Sequence, residues 1–283
     1  YAFEDDGYTG NDLTIFASHF FEGRTIRDWA YQKNPHSIVW AVLDNGKLLA
    51  FTYKREHQVW AWTEMEIDGE VESVCSIPEG TEDSLYMIVK RTINGGTKRY
   101  VERLHTRQFS DVTDAFFVDC GITYSGAATT TISGLDHLEG EEVVVLSEGY
   151  VVENLTVQSG EITLAVETTK AHVGLAYTAE IETLPPPISL EGVGNARGRP
   201  HKANSVYLQL EDTRGIEVGP TSRQMNLLIQ PTDDFAEVPA LFTGMEQVRL
   251  YPDWNRDGTI VVQQNYPLPM TILGISPEYS VGR

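Results

Sequence analysis

Cysteine, cations and long apolar runs are all scarce in this chain. Its 283 residues hold two cysteines, Cys75 and Cys120. They lie far apart and neither belongs to a CxxC pair, so neither a disulfide framework nor a thiolate metal site is expected. Cys75, within the strand-like stretch 71–77, reads as a small, half-buried apolar residue. Apolar runs such as Val143 to Leu146 are much too short to span a bilayer, so no membrane-spanning segment is expected. No basic stretch followed by an apolar one comes after Tyr1, so no signal peptide is expected. The seven histidines (His19, His36, His57, His105, His137, His172 and His201) show no HxH or HExxH spacing and read as surface and rim residues. No GxSxG or comparable nucleophile signature occurs. The expectation is therefore a protein without catalytic residues, cofactor or metal.

Three near-motifs fall short of their chemistry. Asp253-Trp-Asn-Arg-Asp-Gly258 opens like a calcium loop, but position 12 is Gln264, which lacks the bidentate carboxylate. It reads better as a hairpin turn between Tyr251 and Thr259. Gly192-Val-Gly-Asn-Ala-Arg-Gly198 lacks the spacing of a phosphate-binding loop. The carboxylate pairs, such as Glu82-Asp83 and Glu141-Glu142, fall in predicted loops, where solvated surface is the default. Of the five tryptophans, Trp29, Trp40, Trp60 and Trp62 cluster near the start and are expected to be buried by packing. Trp254 stands apart.

What the chain has in excess is negative charge. It carries 41 acidic against 21 basic residues, a net −20. Such a surface repels phosphates and argues against general nucleic-acid binding as a function, though it suits a wall that DNA slides past. Against this background Arg197, Arg199, His201 and Lys202 form one basic loop, a candidate subunit interface with an acidic neighbour or a second copy.

The pattern along the chain is overwhelmingly strand-like. Asp12 or Asn11 is placed to cap a short helix through Leu13, Phe16, Phe20 and Phe21, with Gly23 ending it. A repeat follows. Ser37 and Ser84, 47 positions apart, each open a strand that runs into an Asn-Gly turn and returns. A period of this length, built of strands and tight turns, is the mark of propeller blades. Two blades do not close a ring, which usually needs about 4–8. Phe109 to Ser133 reads as a transition. From Glu142, short strands at 8–12-residue spacing suggest a small sandwich or barrel, closed by Val173 to Tyr177 and Ala179 to Leu184. Pro185-Pro-Pro187 is a stiff connector. The expected class is all-β with little helix: blade-like sheets in 1–108, a small β-sandwich or barrel in 109–190, and a C-terminal β region in 191–283.

Several blocks together resemble one family. They are Asp12-Leu-Thr-Ile15 with Ala17, His19 and Phe20; residues 26–32 with Pro35, Ser37 and Trp40; residues 51–62; Tyr100-Val-Glu-Arg-Leu104; Gly134-Leu-Asp-His-Leu-Glu-Gly140; and residues 264–274. This running text is similar to that of the tail nozzle proteins of short-tailed bacteriophages, also called tail tubular protein B. The resemblance implies a virion structural protein of the phage tail, not an enzyme. It implies a homo-oligomeric, hexameric ring below the tail adaptor protein, in contact with other tail proteins, through which phage DNA passes without specific binding. It implies a propeller-like domain with inserted β domains. Family members are longer, so the resemblance places this chain in their later portion. Two rival readings remain open: a receptor- or glycan-binding tail module, marked by exposed tryptophans on one face, and a polysaccharide-degrading propeller enzyme, marked by carboxylates meeting in a cleft.

Overall fold

The computed structural model describes residues 10, 12–187, 189–190, 194–195, 198–228, 238 and 240–282. Among the described residues it is nearly all β, in several antiparallel sheets with no closed barrel. The chain divides into two compact units, 1–106 and 107–283.

In the first unit, the Asp12 carboxylate accepts from the backbone N–H and hydroxyl of Thr14, and a 3-10 turn leads into a single helical turn, α1 (Ser18–Phe21). Gly23 ends it at φ +68°, a conformation open to glycine at little cost. Asn11 lies outside the described residues. Four strands then form a meander in chain order: β1 (Ile26–Gln32), β2 (Ile38–Leu43), β3 (Leu48–Lys54) and β4 (Val59–Met65). Three more form a second meander: β5 (Glu70–Glu79), β6 (Glu82–Ile93) and β7 (Gly96–Arg103). Asn94 and Gly95, at φ +48° and +70°, make the two-residue β6–β7 turn whose twist matches the strands.

The two meanders share one core. Ile38, Trp40, Val42, Leu48 and Ala50 from the first pack with Val71, Val74, Leu85, Met87 and Val89 from the second. Ile38, Trp40 and Val42 are each 47 positions before Leu85, Met87 and Val89. Both repeats therefore turn the same face to the shared core. Successive propeller blades stack head to tail, which would bring opposite faces of equivalent strands together. The repeat here closes on itself as a two-sheet sandwich.

A bulge in β5 between Val71 and Ser73 shifts the alternation by one residue. Val71 and Val74 point inward, and Cys75 falls on the exposed side. This corrects the half-buried expectation, which assumed an unbroken period of two.

Asp28 ties the two meanders together. Its Oδ2 accepts from Ser73 Oγ at 2.8 Å and Val74 N at 3.0 Å. The Val74 N–H, more than any other group, holds the Asp28 carboxyl below the usual carboxylate range, against a smaller desolvation effect. A depressed folded-state pKa gives stability that is present at neutral pH and lost as pH falls through that value. Asp28→Asn is therefore expected to lower the urea midpoint at pH 7. The gap to wild type should narrow as pH drops below about 4. A gap that stays constant down to pH 3 would remove the charge from the explanation.

The second unit holds β8 (Asp119–Ser133), β9 (Glu142–Ser147), β10 (Tyr150–Thr156), β11 (Glu161–Leu175), β12 (Ala179–Glu182), β13 (Ser189–Leu190) and β14 (Gly194–Asn195). It continues with β15 (His201–Thr213), β16 (Glu217–Thr221), β17 (Gln224–Leu227), β18 (Phe242–Arg249), β19 (Val261–Gln264) and β20 (Thr271–Val281). Strand order is β10-β9-β11-β8 in one sheet, β12-β19-β16-β17 in a second and β18-β15-β20 in a third, with β13 and β14 paired alone. The second and third sheets enclose a core that includes Val206, Leu208, Leu210, Val218, Val248 and Val262. A separate cluster joins Ala115 and Leu146 to Leu268. Nearby, the buried Arg214 guanidinium donates to the Gly149 carbonyl, and Gln264 Nε2 donates to the Arg214 carbonyl at 2.7 Å. These contacts make 107–283 one unit.

Three sequence expectations change here. The stretch expected as a transition contains the 15-residue strand β8. The stretches 162–166 and 173–177 belong largely to one strand, β11, bent by register shifts against β8. Ala179 to Glu182 does not close that meander but pairs with β19 in another sheet.

Candidate functional surfaces

Two surfaces are candidates for function: the outer face of the first meander and the start of β15. Strand alternation builds the first. With Ile38, Trp40 and Val42 inward, the cross-strand partners on the opposite face are fixed by register. One row runs Trp29, Ala41, Leu49, Glu64. The next runs Tyr31, Val39, Phe51, Trp62. Beyond it Tyr53 stands opposite Trp60.

The face is thus lined with rings. Phe20 and Phe21 of α1 cover Ala41, Leu43 and Leu49. Phe21 meets Trp62 edge-on at 4.9 Å, and Phe51 stacks on Trp62 at 4.5 Å and on Tyr53 at 5.8 Å. Trp62 Nε1 donates to the Leu13 carbonyl at 3.2 Å, which fastens the segment before α1. Trp29, Tyr31, Tyr53 and Trp60 remain exposed, Trp29 to 70% and Trp60 to 45%. The expectation that the four clustered tryptophans are buried holds in full only for Trp40. The alternation was legible in Arg27-Asp-Trp-Ala-Tyr-Gln32, but which of its two faces meets the core was not.

At one end of this face lies an open cleft of about 340 Å³ lined by His19, Phe20, Glu22, Arg24, Lys47 and Glu64, among others. Lys47 and Glu64 form an ion pair across it. Its two carboxylates belong to different elements, Glu22 just after α1 and Glu64 on β4.

The expected basic loop is only partly a loop. Arg197 lies outside the described residues, and Arg199 is exposed. His201 and Lys202 are the first residues of β15. Lys202 Nζ sits 5.3 Å over the Trp254 ring, within range of a cation–π attraction. His201 is fully buried, which corrects its place in an exposed basic patch. Its Nδ1–H donates to the Arg199 carbonyl at 3.0 Å, and Nε2 has no hydrogen-bond partner among the described residues. His172 is buried as well, its ring nitrogens on Thr123 Oγ1 and the Thr113 carbonyl at 2.9 Å each. Two of the histidines read as surface residues are therefore core residues.

The 253–258 segment is not a hairpin turn, because β18 and β19 lie in different sheets. It is a loop pinned by paired backbone bonds between His201 and Asn255. Asn255 Oδ1 accepts from the N–H groups of Asp257 and Gly258 at 3.0 and 2.7 Å, so the loop turns on an asparagine side chain. Among the described residues, no three of His, Cys, Asp and Glu gather to hold a metal ion.

Gly258 has φ +58°, and a Cβ there would lie 2.5 Å from the His201 ring. The ring is buried, so something must shift to admit the added carbon. Gly258→Ala is expected to cost about 1–3 kcal/mol through backbone strain and overlap. Loss of the second unit's cooperative transition at lower urea, with the first unit unchanged, is the readout. An unaltered midpoint would show that the loop relaxes freely.

A scan against protein-family models matches none, and no curated protein matches the chain.

Proposed function

We propose that this chain is a structural subunit of a bacteriophage tail nozzle, part of the conduit through which DNA leaves below the adaptor ring. The observation that carries the reading is an all-β scaffold with 41 acidic against 21 basic residues. Duplex DNA moving past such a wall meets repulsion and no contact that must be broken again. The resemblance of blocks spread from residue 12 to residue 274 points the same way. In this reading copies associate into a ring, with cations such as Arg199 meeting the acidic surface of a neighbour. Among the described residues no helix is long and apolar enough to cross a membrane.

Light scattering of the protein, alone and mixed with the tail adaptor protein, tests this. A discrete ring-sized species is expected, weakened by salt if charge complementarity joins the copies. A strict monomer that also ignores the adaptor would overturn the reading.

A further inference from the structure

We infer that the outer face of the first meander is a binding platform for a neutral polysaccharide. Its exposed groups are four rings: Trp29 and Tyr31 on β1, Tyr53 on β3 and Trp60 on β4. Val39, half-buried on β2, bridges the two pairs. From strand spacing and rise, the band from Trp29 to Trp60 runs about 20 Å diagonally across the sheet. That is the footprint of an extended, narrow ligand and not of one small molecule.

The chemistry of the face selects the ligand. Aromatic ring faces carry a negative quadrupole. The axial C–H bonds of a pyranose present a flat, weakly positive apolar face that complements it. Part of the platform is held in advance: Phe51 stacks on Tyr53 and on Trp62, and Phe21 and the Leu13 carbonyl hold Trp62 beside Trp60 on the same strand face. A ring fixed before binding, as Tyr53 is, loses little entropy on contact. The cleft at the same face's end adds hydrogen-bonding groups suited to sugar hydroxyls, among them Glu22, Arg24 and the Lys47–Glu64 pair.

A second β-sheet is the rival occupant, and α1 argues against it. Sheets stack face to face at about 10 Å. Here Phe20 and Phe21 stand over Ala41, Leu43 and Leu49, a ridge that keeps a flat sheet from seating across the face. A chain one sugar wide can lie beside the ridge. The ligand is neutral because a protein of net charge −20 repels polyanions.

The test is native affinity electrophoresis of the full chain in gels containing hydroxyethylcellulose, galactomannan or dextran, with alginate as the acidic probe. Retardation is expected in at least one neutral gel and not in alginate. Trp29→Ala and Trp60→Ala should each weaken it by about tenfold while circular dichroism stays unchanged, because both rings are largely outside the core. Trp254→Ala, an exposed tryptophan of the second unit, should leave it intact. Free migration in every neutral gel overturns the inference. So does retardation that survives both platform variants. If instead either variant abolishes an oligomer seen by light scattering and no sugar effect exists, the face belongs to a second copy. That result bears on the platform alone and leaves the nozzle reading standing.

Discussion

Arg91→Ala is expected to destabilise the first unit by about 3–5 kcal/mol, the usual cost of stranding one member of a buried ion pair. Arg91 is 1% exposed. Its Nε and Nη2 donate to the two Glu102 carboxylate oxygens at 2.7 and 2.8 Å, and Nη1 donates to the Asp68 carbonyl at 2.5 Å. The fork thus joins β6 to β7 and to the turn before β5. Truncation leaves a cavity and a carboxylate that has lost its counter-charge in a low-dielectric setting. Replacing both partners with apolar residues, Arg91→Met with Glu102→Leu, should recover much of the loss, because the pair's attraction mainly offsets its own desolvation. The measurement is urea unfolding followed by tryptophan fluorescence. Four of the five tryptophans lie in this unit, so the signal reports on it. A single-variant loss below about 1 kcal/mol would mean that water reaches the pair and that it behaves as a surface bridge.

The all-β character, the hairpin at Asn94-Gly95 and the end of α1 at Gly23 were legible because they depend on local chemistry: alternation and positive φ. The repeat was legible too, but its meaning was not. Ile38, Trp40 and Val42 share a strand face with one another, and Leu85, Met87 and Val89 do the same. Nothing in either segment says whether the two faces meet or turn the same way. Head-to-tail and face-to-face stacking differ only in long-range geometry, and the shared core decides for the second.

Other misses have equally local causes. Residues 119–133 hold many Thr, Ser, Gly and Ala, and Gly and Ala are poor strand formers. They form β8 because β11 offers a partner along its length, and such pairing is invisible in a single segment. His201 reads as a loop cation because Gly and Arg precede it. Its burial comes from the 253–258 loop closing over it, more than fifty residues later. On the candidate platform, Trp60 and Trp62 could be placed on one side of β4 from alternation alone. Only the positions of α1 and of the core show that Trp62 is covered while Trp60 stays open.

Trp40→Ala is expected to be as damaging as the Arg91 change, about 3–5 kcal/mol for a fully buried aromatic residue. Trp40 has no exposed surface and lies at the centre of the shared core. It is also the first link of a polar chain. Its Nε1–H donates to Gln32 Oε1 at 3.0 Å, and Gln32 Nε2 donates to the Asp83 carbonyl at 2.5 Å. The Asp83 carboxylate in turn accepts from the N–H groups of Lys33 and Asn34 at 2.8 and 2.9 Å. The indole therefore contributes volume to the core and a donor to the seam between β1 and β6. Trp40→Phe separates the two contributions. It keeps much of the ring volume but leaves Gln32 Oε1 without its donor, at about 1–3 kcal/mol. Chemical unfolding followed by far-ultraviolet circular dichroism should rank the proteins wild type, Trp40→Phe, Trp40→Ala in falling stability. If the phenylalanine variant matches wild type, the seam is held by packing alone. If it falls as far as alanine, the hydrogen-bonded chain, and not the apolar core, sets how firmly the two meanders close.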